Sequence, residues 1–139
     1  MAAVIAIPAA AYLLFKPKSS GDANMVEIAD LAELEVGTPQ EVVFYRTRVD
    51  GWKASKEKTT TWVVKTDPNT AIAFSPQCPH LGCIYHWEDE DMAFRCPCHA
   101  SAFATDGHII SGPAPRGLDR YVSKVEGGKL LIGSVIRKA

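Results

Sequence analysis

The chain has 139 residues, 47% of them hydrophobic, and 15 Lys and Arg against 16 Asp and Glu give a formal charge of −1. That length holds one domain of ordinary size. The apolar fraction excludes a disordered chain, and the scattered, balanced charges exclude a nucleic-acid scaffold, which needs a clustered basic surface. The apolar residues are unevenly spread: residues 2–15 are apolar or proline throughout, and Lys16 is the first charge. As a helix that run is about 21 Å long, short of the ~30 Å hydrocarbon core of a bilayer. Three readings compete: a membrane helix that is short or truncated at its start, the apolar region of a signal peptide, and a buried core or interfacial helix. A signal peptide opens on basic residues, and none precedes this run. Pro8 also sits more readily in a membrane helix than in a soluble one. Residues 1–15 are therefore read as a single-pass membrane anchor. Residues 16–24 (KPKSSGDAN) have a composition that packs against nothing and read as a flexible linker. Extended, it reaches about 30 Å; as a coil, roughly 16 Å.

From Met25 to the end no long amphipathic helix is visible. Ile28 to Leu34 forms a short turn or the start of a strand. Seven short stretches rich in β-branched and aromatic residues are expected as strands: Glu41–Arg48, Thr60–Thr66, Ala71–Ser75, Cys83–Trp87, Met92–Arg95, Tyr121–Val125 and Lys129–Ile132. Turn chemistry separates them at Asp50-Gly51, Asp67-Pro68-Asn69, the acidic run Glu88–Asp91, Asp106-Gly107 and Gly127-Gly128. This pattern predicts an all-β fold, a small antiparallel domain of stacked sheets. Trp52, Trp62 and Trp87 are expected to pack, with Trp87 near enough to the first cysteine loop to shield it from water. His86 and His108 are expected as strand or turn residues. Residues 134–139 read as a frayed end.

All four cysteines fall within residues 78–98. They lie in two loops, Cys78-Pro79-His80-Leu81-Gly82-Cys83 and Cys96-Pro97-Cys98-His99-Ala100-Ser101. Each loop offers one Cys and one His that can face a common point, and each holds one further cysteine. Two thiolates and two imidazoles suit tetrahedral zinc. Zinc leaves the matched extra cysteine unexplained, whereas an iron–sulfur centre with two Cys and two His ligands leaves one cysteine in each loop free to bridge the two, which uses all six residues.

These two strings, followed by Gly112-Pro113-Ala114-Pro115, resemble the Rieske iron–sulfur subunit of cytochrome bc-type quinol:cytochrome c oxidoreductases. The resemblance covers residues 70–118 in detail and the rest in outline. It implies one [2Fe–2S] cluster per chain, with Cys78 and Cys96 on the inner iron and His80 and His99 on the outer, exposed iron. It further implies a Cys83–Cys98 disulfide, which suits an oxidising compartment outside the cytoplasmic membrane. Residues 25–139 would form the Rieske domain, with its cluster-binding part at about 76–118. Leu81 and the proline loop, Gly112, Pro113, Ala114 and Pro115, would form an apolar docking tip, and His99 would face the quinol.

The implied activity, exercised only within the complex, takes one electron and a proton from a membrane quinol. The electron passes to a c-type cytochrome, beside a cytochrome b-type partner in a dimeric complex. Two departures from the family pattern stand out. Ala100 replaces the usual glycine, which is tolerable if φ there is negative. Ser101 matches a hydroxyl donor to the cluster, but Phe103 stands where a tyrosine supplies a second one; this predicts a lower potential, matched to menaquinol. Two rival members share the ligands. The small subunit of an arsenite-oxidase-type molybdoenzyme keeps the cysteine pair, while a Rieske ferredoxin typically lacks it and needs no membrane segment.

Overall fold

A computed structural model describes residues 25–137. The expected anchor, 1–15, and linker, 16–24, lie outside the described residues. Among those described, no helix is long and apolar enough to cross a membrane.

The domain is all-β and antiparallel, as expected, with ten strands rather than seven. The larger sheet has six strands: β1 (Val26–Asp30), β2 (Pro39–Asp50), β3 (Lys53–Asp67), β4 (Thr70–Phe74), β9 (Arg120–Glu126) and β10 (Lys129–Ile136). Their order is β1-β10-β9-β4-β3-β2. The smaller sheet runs in chain order through β5 (His86–Glu88), β6 (Ala93–Arg95), β7 (Ala102–Phe103) and β8 (Ile109–Ser111).

Between β1 and β2 a short 3-10 turn, Leu31–Glu33, is capped by Asp30, whose carboxylate accepts from the Ala32 N–H at 2.9 Å. That bond, helped by the Lys129 ammonium, holds the Asp30 carboxyl below its usual range. The Lys65 ammonium donates to the Leu31 and Leu34 carbonyls at 2.7 and 3.1 Å. One strand of the sheet thus ties down the segment that joins its two edges, and the sheet is nearly closed.

Two cores follow from this layering. Leu31, Phe44, Val63, Ala73, Leu130 and Ile132 fill the inside of the large sheet, with the Phe44 and Tyr121 rings edge to face at 6.1 Å. The second core, Val64, Phe74, Tyr85, Phe94, Phe103 and Leu118, joins the large sheet to the small one. Phe94 is its hub, edge-on to Trp62, Phe74, Tyr85 and Trp87. Edge-to-face rings match the positive rim of one aromatic to the negative face of the next. This core fixes the platform from which the cysteine loops project.

Three expectations need correction. Trp52 does not pack; it is 100% exposed at the tip of the β2–β3 hairpin. Strands β2 and β3 also run on through residues expected to be irregular, pairing from Pro39↔Val64 to Asp50↔Lys53 without a break. The expected frayed end is ordered as far as Ile136, because β10 pairs with β9 up to Ile136↔Arg120.

Candidate metal centre

The first loop leaves the second core at Phe74 and returns at Tyr85. It is closed by the Cys78 N–H on the Cys83 carbonyl, at 2.8 Å, and by a bridge between Gln77 and Ile84. The second loop leaves β6 and returns at β7, closed by the Cys96 N–H on the Ser101 carbonyl at 2.9 Å. Cys83 and Cys98 form a disulfide across the two loops, with Cα atoms 6.5 Å apart. Neighbouring returns in the two layers thus present two cysteine loops side by side, and the bridge keeps them there.

Cys78 and Cys96 are the free cysteines, both buried. The two thiols are close enough for Cys96 to act on Cys78. Burial pushes the Cys78 thiol up, the neighbouring Cys96 adds to the shift, and the His80 backbone N–H opposes it. A pair of buried thiols gives up its protons when a cation takes the thiolate charge. The His80 and His99 rings meet edge to face, centroids 4.8 Å apart, on the outer side, with His99 exposed and His80 half-buried. Two buried thiols and two outward imidazoles on paired loops make a donor set that fits a two-Cys, two-His iron–sulfur group. A tighter grouping of potential ligands, Cys83, Cys96 and Cys98 within 4.8 Å of one another, offers only the Cys96 sulfur, because the other two sulfurs are bonded together.

Ser101 is 0% exposed, and its hydroxyl oxygen accepts from the Ala114 N–H at 3.2 Å. A serine hydroxyl has one proton to give, and this contact does not use it. Phe103 is also 0% exposed and brings no hydroxyl. Nor does the nearby phenol replace it, since Tyr85 commits its proton to the Ser75 carbonyl at 2.6 Å.

The 112–115 segment packs against the second loop. Gly112 has φ +99°, and a Cβ there would fall 2.4 Å from the Ser101 Cα and 2.9 Å from the Ala100 carbonyl oxygen. Only glycine permits that approach, so this segment is more than the rigid turn its prolines suggest. Ala114 is buried beneath, while Pro113 and Pro115 are exposed. Leu81 is 70% exposed at the end of the first loop. Ala100 departs from expectation: its φ is +57°, not negative, so the alanine carries left-handed strain.

His86 and His108 stay outside the site, as expected, bonded to the Glu88 and Asp106 carboxylates at 3.0 and 2.6 Å. Trp87 packs on Phe94 and donates to Asp89 at 2.7 Å, within the acidic turn between β5 and β6. Sequence reading missed two supports. Tyr85 anchors the first loop to Ser75, and the two-toothed Arg116–Asp119 pair, at 3.1 and 2.8 Å, steers the chain from the proline segment into β9. The only sequence signal for the second is an Arg and an Asp three residues apart.

Residues 24–122 match the sequence profile described as the Rieske [2Fe-2S] domain. Over 120 residues the chain is 35% identical to the menaquinol:cytochrome c reductase iron-sulfur subunit of Geobacillus thermodenitrificans, covering 84% of this chain and 70% of that protein. It is 36% identical to the subunit of the same name from Bacillus subtilis (strain 168), covering 84% and 71%. Among solved structures, a chain of a hyperthermophilic respiratory Complex III aligns with a TM-score of 0.53 at 25% identity, covering 93% of this chain and 90% of that one.

Proposed function

The chain belongs to the Rieske [2Fe-2S] family, and from that premise we propose that it is the electron-transfer subunit of a membrane quinol:cytochrome c oxidoreductase. Its partners are a cytochrome b-type membrane subunit and a c-type cytochrome, in a dimeric complex. The observation that carries the reading is the charge-graded loop pair: two buried thiols behind two outward imidazoles, clamped by a disulfide.

The bound [2Fe–2S] group supplies a one-electron acceptor whose potential rises when imidazoles replace two of its thiolates. Cys78, Cys96, His80 and His99 would hold that group, the two thiols from the buried side and the two imidazoles from the outer side. His99, the more exposed ring, receives the quinol's hydroxyl hydrogen bond at its outward nitrogen and holds the proton there. Leu81 and the segment Gly112, Pro113, Ala114 and Pro115 exclude water around that contact. The Ser101 hydroxyl, its proton not used by the Ala114 contact, would donate to the bound group and stabilise negative charge there.

Menaquinol is the quinol that fits. Phe103 provides no second hydroxyl and Tyr85 is committed elsewhere, so the reduced form is less stabilised and the potential is low. The relatives from Geobacillus thermodenitrificans and Bacillus subtilis both carry the name menaquinol:cytochrome c reductase iron-sulfur subunit. The disulfide suits an extracytoplasmic domain, with residues 1–15 as a single-pass anchor and 16–24 as its tether.

Two measurements test this. Iron and acid-labile sulfide should be present in equal amounts, with a mixed-ligand EPR spectrum, and Cys78→Ala, Cys96→Ala, His80→Ala or His99→Ala should each remove it. A protein that binds zinc and gives no EPR signal on reduction would end the proposal. Phe103→Tyr should raise the midpoint potential in protein-film voltammetry; an unchanged midpoint would refute the account of Phe103.

A further inference from the structure

The β2–β3 hairpin is longer than the sheet needs. Beyond the Trp62↔Phe74 pair, where β3 leaves β4, the two strands continue as a ribbon through Thr61 to Lys53. At about 3.3 Å per residue that arm is roughly 30 Å long. Phe74 leads straight into the first cysteine loop, so the arm sets out toward the cluster-bearing end of the domain.

Its composition differs from that of the rest. Residues 43–60 hold five Lys and Arg against two Asp and Glu, in a chain whose totals are 15 against 16. The arm is therefore a basic prong on an otherwise acidic molecule. Its register sorts the side chains by face. Phe44 and Arg46 point inward, with the Arg46 guanidinium on the Gly133 carbonyl at 2.6 Å and over the Tyr121 ring. The other face carries Val43, Tyr45, Lys56 and Lys58, all exposed, through the pairs Val43↔Thr60, Tyr45↔Lys58 and Thr47↔Lys56. At the tip stand Trp52, 100% exposed, and Lys53.

A fully exposed tryptophan on a tight turn loses burial that any packed position would have given it. A bilayer interface satisfies both ends of its ring, indole N–H among headgroups and ring carbons toward the acyl chains. Lysines beside it gain about fivefold each in partitioning near an anionic surface. A protein pocket would demand a cluster of apolar anchors, and the tip has one. We propose that the β2–β3 hairpin is a second membrane contact, seating Trp52 in the headgroup layer of an anionic bilayer while Lys53 at the tip, and Lys56 and Lys58 on the outer face, meet its lipid phosphates. This rests on the membrane placement proposed above, and gives the tethered domain a resting point with its cluster-bearing end toward the membrane.

The test uses the full, metal-loaded chain in vesicles of phosphatidylcholine alone or with phosphatidylglycerol, each containing brominated lipid as a tryptophan quencher. The emission lost in Trp52→Phe isolates Trp52 from Trp62 and Trp87. Trp52 emission should be quenched and blue-shifted with phosphatidylglycerol. Both effects should disappear in high salt and in the Lys53→Glu, Lys56→Glu, Lys58→Glu variant, which alters only exposed side chains. A chain that floats with the vesicles but leaves Trp52 unquenched overturns the hairpin contact and spares the anchor. A chain that floats with neither vesicle overturns both. Unquenched Trp52 combined with slowed cytochrome reduction by the charge-reversed variant would assign the hairpin to an acidic protein partner instead, and also overturns the lipid contact.

Discussion

Ala100 sits with φ +57° between a proposed ligand, His99, and the buried Ser101. Left-handed backbone costs an alanine about 1–2 kcal/mol, while glycine's freer unfolded chain gives back about 0.4–1 kcal/mol. Ala100→Gly should therefore stabilise the protein by about 0.5–1 kcal/mol, read as a higher guanidinium midpoint with unchanged slope; a lower midpoint would contradict the strain. Tyr85 makes the opposite case, a residue whose removal is costly. Its hydroxyl is the buried partner of the Ser75 carbonyl, so Tyr85→Phe should cost about 1–3 kcal/mol at neutral pH. Burial, with smaller contributions from Tyr121, Cys78 and Asp119, lifts the Tyr85 phenol well above its ordinary range. The folded state thus holds this proton more tightly than the unfolded state does. The resulting stability is complete below the unfolded tyrosine pKa of about 10 and is lost as pH rises toward the folded value. Chemical denaturation between pH 9 and 11 should show that alkaline loss in the native protein and a flatter limb in Tyr85→Phe.

The elements around the site are short, and covalent closure compensates. Strands β6, β7 and β8 have three, two and three residues, too few to hold two loops in register by ladder bonds alone. The Cys83–Cys98 bridge closes a segment of 15 residues and is worth about 3 kcal/mol on chain-entropy grounds. Removing it as Cys83→Ser with Cys98→Ser should lower stability by about that amount. Iron should be lost at a denaturant concentration where the far-UV signal of the large sheet still persists. Simultaneous loss of both would mean that the loops and the large sheet unfold as one unit. The long β2–β3 hairpin shows the reverse economy: twelve uninterrupted register pairs support an arm that projects past its neighbours.

At the scale of the molecule, one core belongs to the large sheet and the other packs the small sheet against it, so neither sheet is left without a shared interior. Under the function proposed above, motion between quinol and cytochrome is assigned to the proposed 16–24 linker rather than to a joint within the described domain. Cross-linking the domain to its cytochrome b-type partner should leave quinol-dependent electron uptake intact and the c-type cytochrome oxidised. Prompt cytochrome reduction in the locked state would show that no such movement is needed.

Chemistry confined to short segments was legible in the chain itself. Paired Cys-Pro-His and Cys-Pro-Cys-His loops announce a mixed-ligand centre because ligand type and spacing are local properties, and β-branched runs such as Thr60–Val64 announce strands for the same reason. Phe103 in place of a tyrosine was visible in the same way. Strands β7 and β8 were not, since two or three residues carry no periodicity. Nor did the chain disclose the sign of φ at Ala100, or the Tyr85–Ser75 bond and the close approach of Gly112 to Ala100 and Ser101, which join residues 10 to 12 positions apart. Trp52 is the sharpest case. Tryptophan's apolar area argues for a core position, and although Asp50-Gly51 marks a turn beside it, only the unbroken register of β2 on β3 carries that turn past the rest of the sheet, where the fold has nothing to cover it.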